Sequence, residues 1–224
     1  MGTIDKNEYC KVGRAFLKTV DQLVKDKESN DKSALFNTLD KIKLAEGFCL
    51  GLHLAQQVGI GDESWFYTYP EEKNNSSSED DDLPPCLKDD KKDEFIGLKV
   101  EPSAMGAWQA YLYLIAPTVM PVFWHGGYIC RDNVFSLAAF KRIVGPRTQG
   151  LTSIIKGLDK ITEEDVLPTV SYENGKAIVS CCYWSAWGGL IRETVVIKFK
   201  GDEVKSISSG RRKTLVPYNC GICF

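Results

Sequence analysis

Residues 176–199 read KAIVSCCYWSAWGGLIRETVVIKF, two runs rich in β-branched and aromatic residues around a turn of Trp and Gly. Just upstream, Glu173-Asn174-Gly175 supplies the Asn-Gly pair that accepts positive φ at both central positions of a type I′ hairpin turn. Val170–Tyr172 therefore enters that turn as a short strand, and Ala177–Trp184 leaves it as a second. Ser185–Gly189 breaks the chain again, and Leu190–Phe199 forms the third strand. Lys200-Gly201-Asp202-Glu203 makes the next turn, with Val204–Ser208 as the fourth strand. Turns this closely spaced imply an antiparallel meander.

Period two then sorts the faces of the third strand. Ile191, Val195, Ile197 and Phe199 share the core face, and Glu193 falls among them. A carboxylate on an apolar face is costly unless it is paired or protonated. Glu193 is thus a candidate general acid/base or ligand anchor. The structural alternatives are a bulge near Gly188-Gly189 that turns it outward, or a pair with an arginine.

Composition narrows the function classes. A formal net charge of −2 over 224 residues gives no global field for nucleic acid. The first ten residues, MGTIDKNEYC, have no apolar core of a secretory signal, and Lys6 stands where a myristoylation motif needs Ser or Thr. No apolar run reaches the length of a membrane-spanning helix. The expectations are a cytoplasmic protein with no membrane or nucleic-acid partner. Eight cysteines are many for such a chain, and the default is that they are reduced and mostly buried.

The N-terminal part reads as helical. Tyr9, Val12, Phe16, Val20 and Leu23 recur at helical steps over Glu8–Lys25. Leu35, Leu39, Ile42, Cys49 and Leu52 suggest a second helix from about residue 31 to Val58, closing a helical hairpin, with His53 near its end. Trp65, Phe66, Tyr67 and Tyr69 form an aromatic cluster expected to pack on those helices. Residues 71–94 hold ten acidic against four basic residues with runs of Asn, Ser and Pro, the composition of a mobile, solvated insertion. Ser103 to Pro117 predicts another helix. A further helix follows through Phe135 and Ile143, capped by Asp132 or Asn133. Thr162-Glu163-Glu164-Asp165 has the spacing of a capping box. The apolar tail, Leu215–Phe224, is expected to dock as a last strand. Lys198, Lys200, Lys205, Arg211, Arg212 and Lys213 outnumber Asp202 and Glu203, so this end is locally basic, and the acidic insertion or another anion is its expected counterpart.

Three constellations could hold chemistry. His125, in a Gly-rich turn, could activate the thiol of Cys130, Cys181 or Cys182, with Glu193 orienting the imidazole, as a cysteine hydrolase requires. Cys220 and Cys223 form a C-x-x-C that could hold structural zinc with one of Cys181 and Cys182, although a second knuckle is missing. Trp124, Trp184 and Trp187 could form an aromatic binding edge, or simply close the core at the sheet end. Phosphate-binding glycine loops are absent.

The resulting expectation is an α+β fold. An N-terminal helical part packs on one face of a C-terminal antiparallel meander of four to five strands, in a single compact domain. The functional expectation is a non-enzymatic protein-binding module of inhibitor or immunity type, with a protein partner and no cofactor. The cysteine hydrolase and the zinc protein are the alternatives.

Overall fold

The computed structural model describes residues 5–26, 32–57, 61–71, 95–119, 131–147, 155 and 157–219. The acidic insertion, apart from Glu71, lies outside the described residues. The fold is α+β, with a C-terminal antiparallel sheet of five strands. Helix α1 spans Lys6–Lys25. Asp5 caps it by accepting from the Asn7 amide at 3.0 Å, which satisfies one of the open N–H groups of the first turn. Its inward stripe is Tyr9, Phe16, Val20 and Leu23, four of the five positions that helical periodicity selects.

The expected second helix does not form. Ser33–Asn37 is a single 3-10 turn, followed by strand β1 (Ile42–Leu44) and by β2 (Phe48–Gln57) antiparallel to β3 (Gly61–Pro70). Gly47 takes a φ of 76° between β1 and β2, a conformation that a helix interior excludes. Beyond it Phe48, Leu50 and Leu52 alternate with Cys49, Gly51 and His53, a period of two. Leu50 and, on β3, Phe66 and Thr68 face the core. His53 is therefore a strand residue, stacked on Trp65 with ring centroids 4.3 Å apart. The aromatic cluster of β3 belongs to this ribbon.

Strand β4 (Leu98–Val100) pairs with β1 and leads into helix α2 (Ala104–Ile115), capped by Ser103. Almost every residue of α2 is buried. A helix apolar all round belongs inside a core, and α2 is that helix here. The Trp108 indole donates to the Tyr9 carbonyl at 3.0 Å, tying α2 to α1. Gln109 is fully buried and satisfied at both ends, accepting from the Lys41 amide at 2.6 Å and donating to Asp40 at 2.7 Å.

The remaining elements are β5 (Asp132–Val134), α3 (Leu137–Arg147), α4 (Glu163–Val166), β6 (Thr169–Glu173), β7 (Lys176–Ser185), β8 (Gly189–Lys200) and β9 (Glu203–Val216). Asp132 and Asn133 lie in β5 and cap no helix. Ser136 takes that role for α3, accepting from the Ala139 amide at 3.2 Å. Strands β6 to β9 are the expected meander, and β5 adds to β7 beyond the end of β6. Asn174 and Gly175 both take positive φ, 49° and 74°, as the tight turn requires. Strand β9 runs on to Val216, so Leu215 and Val216 finish it in place of starting a separate strand. Pro217–Asn219 lie outside any strand, and 220–224 are outside the described residues.

The sheet is covered on both faces, not on one. Ala177, Val179, Cys181, Val195 and Ile197 meet α1 and α2 in a first core. Cys182, Trp184, Leu190 and Val216 meet Phe140 and Val144 of α3 and Val166 of α4 in a second. This second cover is confined to one end. Toward the Asn-Gly turn the same face is open, and Ile178 is 41 % exposed.

Candidate functional site

Strand alternation puts Cys181 and Glu193 side by side on the first-core face of the sheet, in direct register across β7 and β8. Val179 and Val195 continue that face. Glu193 is 5 % exposed. It is neither turned outward nor left alone. Its Oε1 lies 2.6 Å from Nη2 of Arg131 and accepts from the Tyr111 hydroxyl at 2.8 Å. Arg131 Nη2 also donates to the Tyr111 oxygen at 2.8 Å and to Asn133 Oδ1 at 3.3 Å. The guanidinium lies over the Tyr183 ring, 3.9 Å from its centroid, a favourable placement for a cation on an aromatic face. Trp108 stacks on the Tyr111 ring, with centroids 5.4 Å apart.

The cluster thus joins α2, the residue preceding β5, β7 and β8 through one buried ion pair. Removing such charges from water costs several kcal/mol each, and their mutual attraction repays it only when the remaining hydrogen-bonding positions are also filled. Tyr111 supplies that further bond here. Burial pushes the Tyr111 phenol well above its ordinary value, and Cys181 adds to the rise, so the hydroxyl stays a donor. Desolvation pulls the Arg131 pKa down, but Tyr111 and Glu193 outweigh it and the net shift is upward. The carboxylate itself is well partnered, whereas Arg131 Nε and Asn133 Nδ2 are buried without a hydrogen-bond partner among the described residues.

Cys181 belongs to the same cluster and is fully buried. Burial, then the adjacent Cys182, pushes its thiol up to about 12 against the pull of Arg131. The nucleophilic form of cysteine is the thiolate, and burial works against that form at Cys181, whose side chain packs in the first core. Cys182 faces the second core, where burial raises it too and its thiol donates to the Asp165 carbonyl at 3.3 Å. His125, Cys130, Cys220, Cys223 and Trp124 lie outside the described residues. Among the described residues, no group of three or more His, Cys, Asp and Glu could hold a metal ion.

The two described tryptophans of the expected binding edge part company. Trp184 is fully buried, against Phe140 and Tyr218, and closes the second core. Trp187, in the β7–β8 turn, is 39 % exposed.

Exposed charge gathers instead on β9. This strand is the last of the sheet, and among the described residues nothing pairs with its outer side. Ser208 to Thr214 are exposed without interruption. A strand with one face on a core would alternate. Here both faces and the edge meet solvent together. The run contains Arg211, Arg212 and Lys213, with Lys205 before it and no acidic residue after Glu203. Asp202 and Glu203, at the start of the strand, are engaged by Lys99 at 3.3 and 3.1 Å, and Asp165 lies within electrostatic reach of Lys213. Arg212 alone turns toward Glu193, with Nε 3.7 Å from Oε2. Two residues, Gly210 and Arg211, stand opposite Thr194 in a bulge between the pairs Val195–Ser209 and Glu193–Arg212.

The basic excess at this end is readable from composition, whereas its gathering on an open edge is not. A pair with an arginine was among the readings of Glu193 and is the one found, but Arg131 as that arginine and Tyr111 beside it were not identified. The hydroxyl of a tyrosine on an otherwise apolar helix is a signal that could have found the latter, because a buried Tyr needs an acceptor. No family model matches the chain, and neither curated proteins nor solved structures give a significant match.

Proposed function

We propose that this protein is a non-enzymatic protein-binding module of inhibitor or immunity type, acting through the basic outer edge of β9. The observation that carries this reading is the uninterrupted exposure of Ser208–Thr214 with Arg211, Arg212 and Lys213 in it. Uncompensated charge on an accessible edge steers an oppositely charged protein and fixes its orientation. The inward placement of Glu193 and Cys181 supports the same reading, since both are engaged in packing and pairing. A cytoplasmic setting is part of the proposal, and the free thiols of Cys10, Cys181 and Cys182 fit a reducing compartment.

Native mass spectrometry on tagged protein recovered gently from its source cells tests this. The expected result is a stoichiometric complex with a second protein. Recovery of the bare chain alone, at low salt and without detergent, would sink the reading.

A further inference from the structure

Resting on that reading, we infer that the partner contributes an extended acidic segment that adds to β9 as a sixth strand, pairing along Ser206–Ser209, between the register shifts at Lys205 and at Gly210-Arg211, and placing carboxylates against Lys205, Arg211 and Lys213. Strand β4 lies against the start of β9, where the Val100 amide donates to the Asp202 carbonyl at 2.7 Å; beyond that start the edge offers a row of N–H and C=O groups with no strand paired to it among the described residues. Such a row is a template for strand addition, in which backbone bonds give affinity and side chains give specificity.

Charge selects the occupant. A second copy of this chain would set Lys205, Arg211, Arg212 and Lys213 against their own counterparts, and like charges directly opposite each other are unfavourable. Lys198 and Lys200 on β8 deepen the positive field. Asp202 and Glu203 do not relieve it, because Lys99 already engages them. An acidic strand is complementary along the whole edge.

The bulge fixes where pairing runs. From Lys198–Ser206 to Val195–Ser209 the register of β9 against β8 is unbroken, so this segment is a regular edge. At Gly210 the strand presses on β8, since a side-chain carbon there would sit 2.7 Å from the Thr194 carbonyl oxygen. Bulges re-aim side chains and end regular pairing. Here the bulge ends the template and sets Arg211 beside it as a charged stop.

The test uses the full chain and a fluorescent decapeptide alternating Glu and Thr, followed by anisotropy at low salt. Saturable binding is expected. Charge reversal by R211E/K213E should weaken it about tenfold or more without moving the melting temperature, since both side chains are exposed. N-methylation of alternate peptide amides, which keeps the charge and removes backbone donors, should abolish it. Equal binding of the N-methylated peptide would overturn strand addition. So would no binding of the parent peptide, or its full displacement by a single-stranded oligonucleotide of equal charge. A partner captured from cells that is indifferent to R211E/K213E would remove this edge as the site while leaving the protein-binding reading intact.

Discussion

Glu193 illustrates how one residue can organise four segments. Its carboxylate is held by Arg131 and Tyr111 deep in the first core. Glu193→Leu alone strands the guanidinium, and breaking a buried pair from one side costs about 3–5 kcal/mol. We expect that loss in urea unfolding, and a smaller loss in E193L/R131M, where both charges are gone. Equal or additive losses would show that the pair is not coupled. Cys181 and Tyr111 make a second expectation. Both hold their protons more tightly in the folded than in the unfolded chain. Their contribution to stability is thus complete below the unfolded values and lost as pH rises through the window above about 9, up to about 12 for the thiol. Each such group gives a slope of about 1.4 kcal/mol per pH unit inside its window. Wild-type stability should therefore fall steeply from pH 9 to 10.5, and Cys181→Ala should flatten the fall even though its cavity lowers the starting value. Parallel slopes would contradict the assignment.

Turns decide the elements. Gly189 takes a φ of 82°, and a side chain there would run into the Val216 carbonyl and the Tyr218 amide. Gly201 has a similar φ of 63° with open space around it. We expect Gly201→Ala to cost about 1 kcal/mol, the strain of the left-handed conformation alone, and Gly189→Ala to cost distinctly more. Thermal denaturation of the two variants separates space from strain, and equal costs would mean that the β9 terminus gives way freely. The same local chemistry explains what sequence could tell. The meander was legible because Asn174-Gly175, Gly188-Gly189 and Gly201 punctuate it and the residues between alternate. Glu193 fell on the right face for the same reason. The ribbon of β2 and β3 was misread because Leu35, Leu39 and Ile42 happen to fall at helical steps. Gly47 and Gly51, each costing a helix about 1 kcal/mol, were the contrary signal. Arg131 could not be assigned to Glu193 from sequence, because the pairing of β5 with β7 that delivers it is non-local.

At the scale of the molecule, order runs from the middle of the sheet outward. Strand β7 has neighbours on both sides, β5 and β6 on one and β8 on the other. Its amides from Ala177 to Trp184 should exchange only through global opening, whereas outward-facing amides of Ser206–Lys213 have no strand partner among the described residues. Hydrogen exchange read by mass spectrometry should leave peptides over 177–184 protected longest, and about half of the β9 amides should exchange within seconds. Uniform protection along β9 would mean that its edge is covered in solution, and would count against both the proposed surface and its mode of use.

Cys181 and Cys182 are consecutive, yet one lies in each core. The strand between them is a shared wall, one backbone thick. Interiors packed to crystal-like density transmit displacement and do not absorb it. A push that relaxes the wall toward α2 must draw it away from α3. Neither side can be remodelled on its own terms, and an enlarged side chain at Val179 would be felt at Trp184, on the far side, without any atom of the two in contact.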